Sequence, residues 1–113
     1  MKIDKPSKSD YLRLIDIWEK SVRATHDFLP EENINTLKPL ILEHYFDAVD
    51  LRVAIEEHQK IVGFIGVADE NIEMLFIEPE YRGSGVGRLL LNNAISKQSA
   101  TKVDVNEQNP PAV

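Results

Sequence analysis

From Tyr11 onward, apolar side chains return every three to four residues. Tyr11, Leu14, Ile15, Trp18 and Val22 fall on one face, the spacing of a helix packed on a core. Pro6-Ser7-Lys8-Ser9-Asp10 marks its start, with Ser7 as cap and Asp10 as a weaker capping-box partner, which predicts a helix over about residues 8–24. Before it, Lys2 to Asp4 reads as a short edge strand or a frayed end. A second helix begins at Pro30-Glu31-Glu32, because proline and acidic residues suit a first turn. Leu37, Leu40, Ile41, His44 and Tyr45 continue it at helical spacing, which turns His44 toward the core. Pro39 predicts a kink or a break near Thr36.

At Asp50 the period changes from helical to alternating. Leu51, Val53 and Ile55 alternate with Arg52, Ala54 and Glu56, as in a strand with one more polar side. Lys60 to Ala68 is a nearly continuous apolar strand, in which Gly63 and Gly66 imply a bulge, a close crossing or room for a ligand. Ile72 to Ile77 follows a tight turn at Asp69-Glu70-Asn71, so the three strands form an antiparallel meander. Pro79 ends the last of them. Gly83, Gly85 and Gly87 come next on alternate positions, between Arg82 and Arg88. A helix over about 85–99 carries Leu90, Leu91, Ala94 and Ile95 as its inward stripe. Thr101 to Val105 is a further strand, and a right-handed crossover places it parallel to strand 72–77. The expected fold class is therefore α/β: a mixed, mostly antiparallel sheet, two N-terminal helices and one crossover helix. Asn106 to Val113 has no periodicity.

Composition narrows the function. A chain of 113 residues is read as one domain over 1–113, and its 42% hydrophobic and 28% charged content is ordinary for a globular protein. No apolar run approaches 18 residues and no leader-like pattern opens the chain, so the expected location is cytoplasmic, with no membrane partner. Cysteine is absent, which excludes disulfide and thiol chemistry. A formal charge of −6 without a basic stripe argues against nucleic acid. The three histidines are scattered without paired ligand spacing, which argues against a metal.

The glycine turn is the candidate site. Glycines there let the backbone aim several N–H groups at one point, and the following helix adds its free first-turn amides, an arrangement suited to a phosphate. Gly83-Ser84-Gly85-Val86-Gly87 is not the G-x-G-x-x-G of dinucleotide folds, and Gly87-Arg88-Leu89 lacks the Lys-Ser/Thr of a Walker A loop. Two readings remain: a different phosphate cradle made by backbone amides from Arg82 to Arg88, or a tight turn alone.

The stretch LFIEPEYRGSGVGRLLL resembles the acetyl-coenzyme A motif of the GNAT (GCN5-related N-acetyltransferase) family, with Arg82, Gly85 and Gly87 at the motif positions and Pro79 upstream. Within that family the chain is similar to small bacterial acetyltransferases, through Ser21 to Leu29 and through Val105 to Asn109. The resemblance implies an acyl-CoA N-acyltransferase fold and acetyl-CoA as co-substrate, with no metal. It implies that amides of Arg82, Gly83, Ser84, Gly85, Val86, Gly87 and Arg88 hold the pyrophosphate. The pantetheine arm would pair with the backbone of Leu75, Phe76 and Ile77, near a splay between strands 72–77 and 101–105. Acetyl would then pass by direct attack to a primary amine of a small molecule or peptide. Glu73 is the candidate base, against a role as a plain solvent-facing residue, and Phe76 N–H the oxyanion donor. His26 is the candidate substrate or proton-relay residue, against a hydrogen-bonded structural role, and Asn106 a candidate catalytic-site residue near the cofactor or the next helix. Asp27 and Tyr45 rank below them, and His58 is expected in an exposed turn.

Family members continue past the fifth strand with a helix and two strands bearing a tyrosine that serves as acid. This chain stops at Val113. The comparison implies an exposed outer edge inviting homodimerisation or strand exchange, cofactor binding that outlasts catalysis, and weak turnover. The alternative is a non-catalytic coenzyme A-binding or protein-interaction module, and a nucleotide-binding protein is a weaker rival.

Overall fold

The computed structural model describes residues 1–25 and 30–103. Five strands lie in the order β1-β2-β3-β4-β5: β1 Lys2–Asp4, β2 Asp50–Ile55, β3 Ile61–Ala68, β4 Asn71–Ile77 and β5 Lys102–Val103. The first four pair antiparallel, and β5 runs parallel to β4 through Asn71↔Lys102 and Ile72↔Val103. Meander and crossover thus follow the alternation pattern.

A 3-10 turn at Lys8–Asp10 leads into α1 (Tyr11–Thr25), and the Asp10 carboxylate accepts the Ser7 N–H at 2.9 Å. The second helix departs from its expected course. α2 (Glu31–Leu40) runs unbroken through Thr36 and Pro39, and the irregularity comes afterwards, as a π-helical turn at Ile41–Tyr45 ahead of the short α3 (Phe46–Ala48). Pro39 has no N–H to offer the preceding turn, and the chain widens on its C-terminal side. A π turn slips the helical phase by one residue, so the face predicted from Leu37 onward does not continue. Phe46 is fully buried, whereas Tyr45 is 44% exposed. His44 is also exposed, contrary to its expected inward orientation.

α1 and α2 cover one face of the sheet. Tyr11, Phe46, Phe64 and Phe76 form a continuous aromatic row there, with successive centroids 5.1, 5.6 and 5.7 Å apart. α4 (Val86–Lys97) covers the other face and buries Val86, Leu90 and Ala94. This inward line is narrower than expected: Leu91 is half-buried and Ile95 is 57% exposed. Of the three readings of Gly63, close crossing holds, since a Cβ there would lie 3.0 Å from Val86 Cγ1 and 3.2 Å from Leu90 Cδ1. The bulge reading applies beside both glycines, since the β2–β3 register shifts next to Gly63 and the β3–β4 register next to Gly66. Gly66 is a close crossing too, a Cβ there falling 2.7 Å from Val49 Cγ2.

One charged group is buried at the end of β4. Glu78 has a side chain 4% exposed, in an ion pair with Arg13 Nη2 at 2.8 Å and with Lys20 Nζ 3.7 Å away. The same guanidinium donates from Nε and Nη2 to the Ile61 carbonyl at 3.0 and 2.8 Å, and Glu78 N–H donates to the Val62 carbonyl at 2.8 Å. The pair therefore ties α1, the start of β3 and the end of β4 at one point. Among the described residues no helix is long and apolar enough to cross a membrane.

Removing Arg13 leaves the Glu78 carboxylate buried with Lys20 Nζ, 3.7 Å away, as its remaining counter-charge among the described residues, whereas Arg13 would keep its 2.9 Å pair with Asp16 if Glu78 were removed. Arg13→Ala is expected to lower unfolding stability by about 3 kcal/mol in urea titration; a loss below about 1 kcal/mol would show that the pair does not hold these elements together.

Candidate functional site

Pro79–Tyr81 forms a 3-10 turn directly after Glu78, with proline at a position where its missing N–H costs nothing. Inside the turn, Tyr81 N–H donates to the Glu78 carbonyl, Arg82 N–H to Pro79 and Ser84 N–H to Tyr81, at 2.8, 3.3 and 3.2 Å. The Ser84 hydroxyl also donates to the Tyr81 carbonyl. Gly83 and Gly85 take φ of +81° and +93°, a region where an L side chain is strained. Gly85 is the N-cap of α4, and the first backbone bond into that helix is Leu89 N–H to the Gly85 carbonyl.

Of the seven amides expected to make the cradle, those of Arg82 and Ser84 are therefore engaged in the turn. The N–H groups of Gly83, Gly85, Val86, Gly87 and Arg88 have no backbone partner among the described residues. They converge where the helix dipole is positive, which favours an anion. The loop from Tyr81 to Gly85, with Gly87, Arg88 and Ile77, bounds an open cavity of about 610 Å³. A Cβ at Gly83 or Gly85 would meet nothing within 4 Å, so backbone conformation rather than crowding demands glycine there. Arg88 is exposed beside the cavity. The Arg82 guanidinium instead reaches α1, with Nη2 3.3 Å from Ser21 Oγ and 3.5 Å from its carbonyl.

Leu75, Phe76 and Ile77 run toward this cradle along β4. On one side they pair with Ile65, Phe64 and Gly63 of β3. On the other, β5 pairs only with Asn71 and Ile72, so residues 74–77 have no strand partner among the described residues. That edge can accept an extended ligand as an added strand. Glu73 is exposed, and its Oε2 accepts from Asn71 Nδ2 at 2.8 Å. It is the extra residue of a bulge, because the register changes from Gly66↔Met74 to Val67↔Ile72.

His26, Asp27 and Asn106 lie outside the described residues. The ends of the connector that carries His26 are joined by ions: Arg23 donates to Glu31 at 2.8 and 2.7 Å and to Glu19 at 2.9 Å, and Lys38 pairs with Glu19. Hydrogen bonds from Lys38 and then Arg23 hold Glu19 below the usual carboxylate range, and Arg23 does the same for Glu31. Tyr45 stands away from the glycine turn, in a pocket with Glu73. His58 lies in an exposed turn as expected, its side chain 83% exposed. Among the described residues no cluster of three or more His, Asp or Glu is placed to hold a metal ion.

Sequence reasoning missed the roles of Glu78, Arg13 and Ser21, and it allowed a bulge at Gly66 without identifying Glu73 as its extra residue. No local pattern reports that Glu78 and Arg13 meet across 65 positions.

The family profile described as an acetyltransferase (GNAT) domain matches residues 22–113. The chain belongs to the GNAT acetyltransferase family. It is 41% identical over 100 residues to the peptidyl-lysine N-acetyltransferase YjaB of Escherichia coli (strain K12), covering 88% of this chain and 67% of that protein. The YjaB of Salmonella typhimurium is 38% identical over 101 residues, covering 89% and 69%. The solution structure of apo-form YjaB from Escherichia coli superposes with a TM-score of 0.84 at 37% identity, over 98% of this chain and 75% of that one. A PaiA N-acetyltransferase from Thermoplasma acidophilum, in complex with coenzyme A, shares the fold with a TM-score of 0.77 at 20% identity, over 98% and 82%. GNAT enzymes take acetyl-CoA as donor, and a β4 edge without a strand partner among the described residues, leading into a helix N-terminus, fits that molecule's extended arm and its phosphates.

Gly85→Val places a β-branched residue at φ +93°, which is expected to cost about 1–2 kcal/mol of stability. It is also expected to weaken coenzyme A binding at least about tenfold (~1.4 kcal/mol) by calorimetry. Unchanged affinity in a folded G85V protein would remove the glycine turn from the binding site.

Proposed function

We propose that this chain transfers the acetyl group of acetyl-CoA to a primary amine of a peptide or protein by direct attack. The observation that carries the reading is the continuity of two features: the β4 edge at residues 74–77, which has no strand partner on that side among the described residues, and the amide cradle at Gly83–Arg88 that it runs into. Pantetheine on the edge and pyrophosphate in the cradle would use both along one line. Likeness to peptidyl-lysine N-acetyltransferases supports a lysine as the amine.

In this reading the amides of Gly83, Gly85, Val86, Gly87 and Arg88 hold the pyrophosphate, and Arg88 adds charge. Arg82 braces the loop against α1 through Ser21. Glu73, at the bulge, takes the proton from the substrate ammonium, directly or through a water. The neutral amine then attacks the acetyl carbonyl, a C–N bond forms, the C–S bond breaks, and the departing thiolate takes up the proton that the nitrogen sheds as it becomes an amide. The Phe76 N–H expected from the resemblance faces Phe64 of β3, as Glu78 N–H faces Val62, so an edge-facing amide, that of Leu75 or Ile77, is assigned to the developing oxyanion. His26 is assigned to guiding the acceptor or its proton, and Asn106 to the cofactor side.

The test is acetylation of lysine peptides followed by mass spectrometry and thiol release. Glu73→Gln is expected to lower kcat by about 10²-fold while leaving the Kd for coenzyme A unchanged. A rate within twofold of the parent would take the base role away from Glu73. No transfer to any amine by the parent protein would overturn the acetyltransferase reading.

A further inference from the structure

The bulge in β4 has an effect on side-chain direction. Along a regular strand Ile72 and Met74 would share a face, but Ile72 packs on the α4 side of the sheet and Met74 on the α1 side. The additional residue, Glu73, stands beside Met74 in a pocket of about 400 Å³ on the α1 side. That volume lies near the small end of ligand pockets, roughly 300–1,000 Å³. Ala48 and Val49 enter it from the end of the helical segment, Ala68 from the end of β3, and Tyr45 from the π turn.

The chemistry of these walls is selective. Ala48, Val49, Ala68 and Met74 offer short or unbranched apolar surface. The polar groups are the Glu73 carboxylate and the Tyr45 ring with its hydroxyl. One Glu73 oxygen accepts from Asn71, which leaves acceptor capacity on a group with about four lone-pair sites. Asp69 and Glu70 follow at the adjoining turn, and neither they nor Glu73 forms an ion pair with a cation among the described residues. An apolar trough ending at a carboxylate and an aromatic ring suits an alkyl chain carrying a positive charge. An anionic or branched polar group finds no complement there. Glu73 also lies two residues before Leu75, on the β4 edge assigned to the acyl donor under the proposed function.

We propose that this pocket is the acceptor subsite, and that it takes the aminobutyl side chain of lysine in preference to an N-terminal α-amine. The four methylenes lie against Ala48, Val49, Ala68 and Met74, and the ammonium sits between Glu73 and the Tyr45 ring. The assignment rests on the acetyltransferase reading for its role in catalysis, and on the pocket alone for its ligand chemistry.

Methyl NMR of the 113-residue chain separates the two. Pentylammonium is expected to shift the Ala48, Val49, Ala68 and Met74 methyls saturably, with pentanoate at least tenfold weaker. Ala68→Leu, which fills the trough, is expected to abolish those shifts and raise the KM for a lysine peptide at least tenfold. Its Kd for coenzyme A should stay the same. Glu73→Gln, which leaves the pocket's shape intact, should weaken pentylammonium about tenfold. Replacing lysine by ornithine in the peptide should cost about tenfold in kcat/KM, the scale of one methylene. Equal shifts from pentanoate, or an unaltered lysine-peptide KM in folded A68L protein, would overturn the subsite while transfer continued. Pentylammonium shifts in a protein that acetylates nothing would instead overturn its place in catalysis and retain the cation pocket.

Discussion

Glu78 is a carboxylate that the fold has taken almost entirely out of water, and several elements depend on its being satisfied. Arg13 comes from α1 to neutralise it, and the same guanidinium holds the Ile61 carbonyl where β3 begins. The backbone of Glu78 closes on Val62 and starts the turn that leads to the glycines. An unpaired carboxylate at this depth would be strongly unfavourable, so α1 has one position relative to the sheet that is tolerable. The position of α1 in turn places Ser21 where the Arg82 guanidinium reaches it. The glycine turn is thus held from both ends, by Glu78 before it and by Arg82 within it.

The two faces of the sheet have separate tasks. On the α4 side, the missing Cβ of Gly63 lets Val86 and Leu90 come close to the strand. This brings the N-terminus of α4, with its free amides, to the end of β4. On the α1 side, the aromatic row from Tyr11 to Phe76 fills the space beneath the first two helices. The bulge at Glu73 is where β4 changes which face it serves: Ile72 belongs to the α4 core, and Met74 and Phe76 to the α1 core. A strand that crosses from one core to the other leaves an irregular edge between them, and a functional group is easily exposed at such a point.

Much of this was legible residue by residue. Alternation of apolar and polar side chains marks β2, and the near-continuous runs of β3 and β4 suit strands covered on both faces. The glycine spacing marked the tight turn, because the positive φ at Gly83 and Gly85 favours glycine. The misplaced residues have a common cause. His44, Tyr45 and Ile95 were assigned to faces by extrapolating a helical period. The π turn slips that period by one residue, and the contact line of α4 on the sheet is narrower than its apolar stripe. Local spacing reports where a side chain points on its own element, and burial also depends on what packs against it.

By itself, the sequence determined the order and kind of most elements, the parallel crossover into β5, and the tight glycine turn ahead of α4. These are local or topological properties, governed by side-chain period, backbone sterics and chain handedness. Tertiary structure alone decided the burial of Glu78 against Arg13, the reach of Arg82 to Ser21, and the meeting of Tyr45 with Glu73 at one pocket. Each of these joins residues far apart in the chain, and the energy that selects them exists only once water has been excluded between the elements.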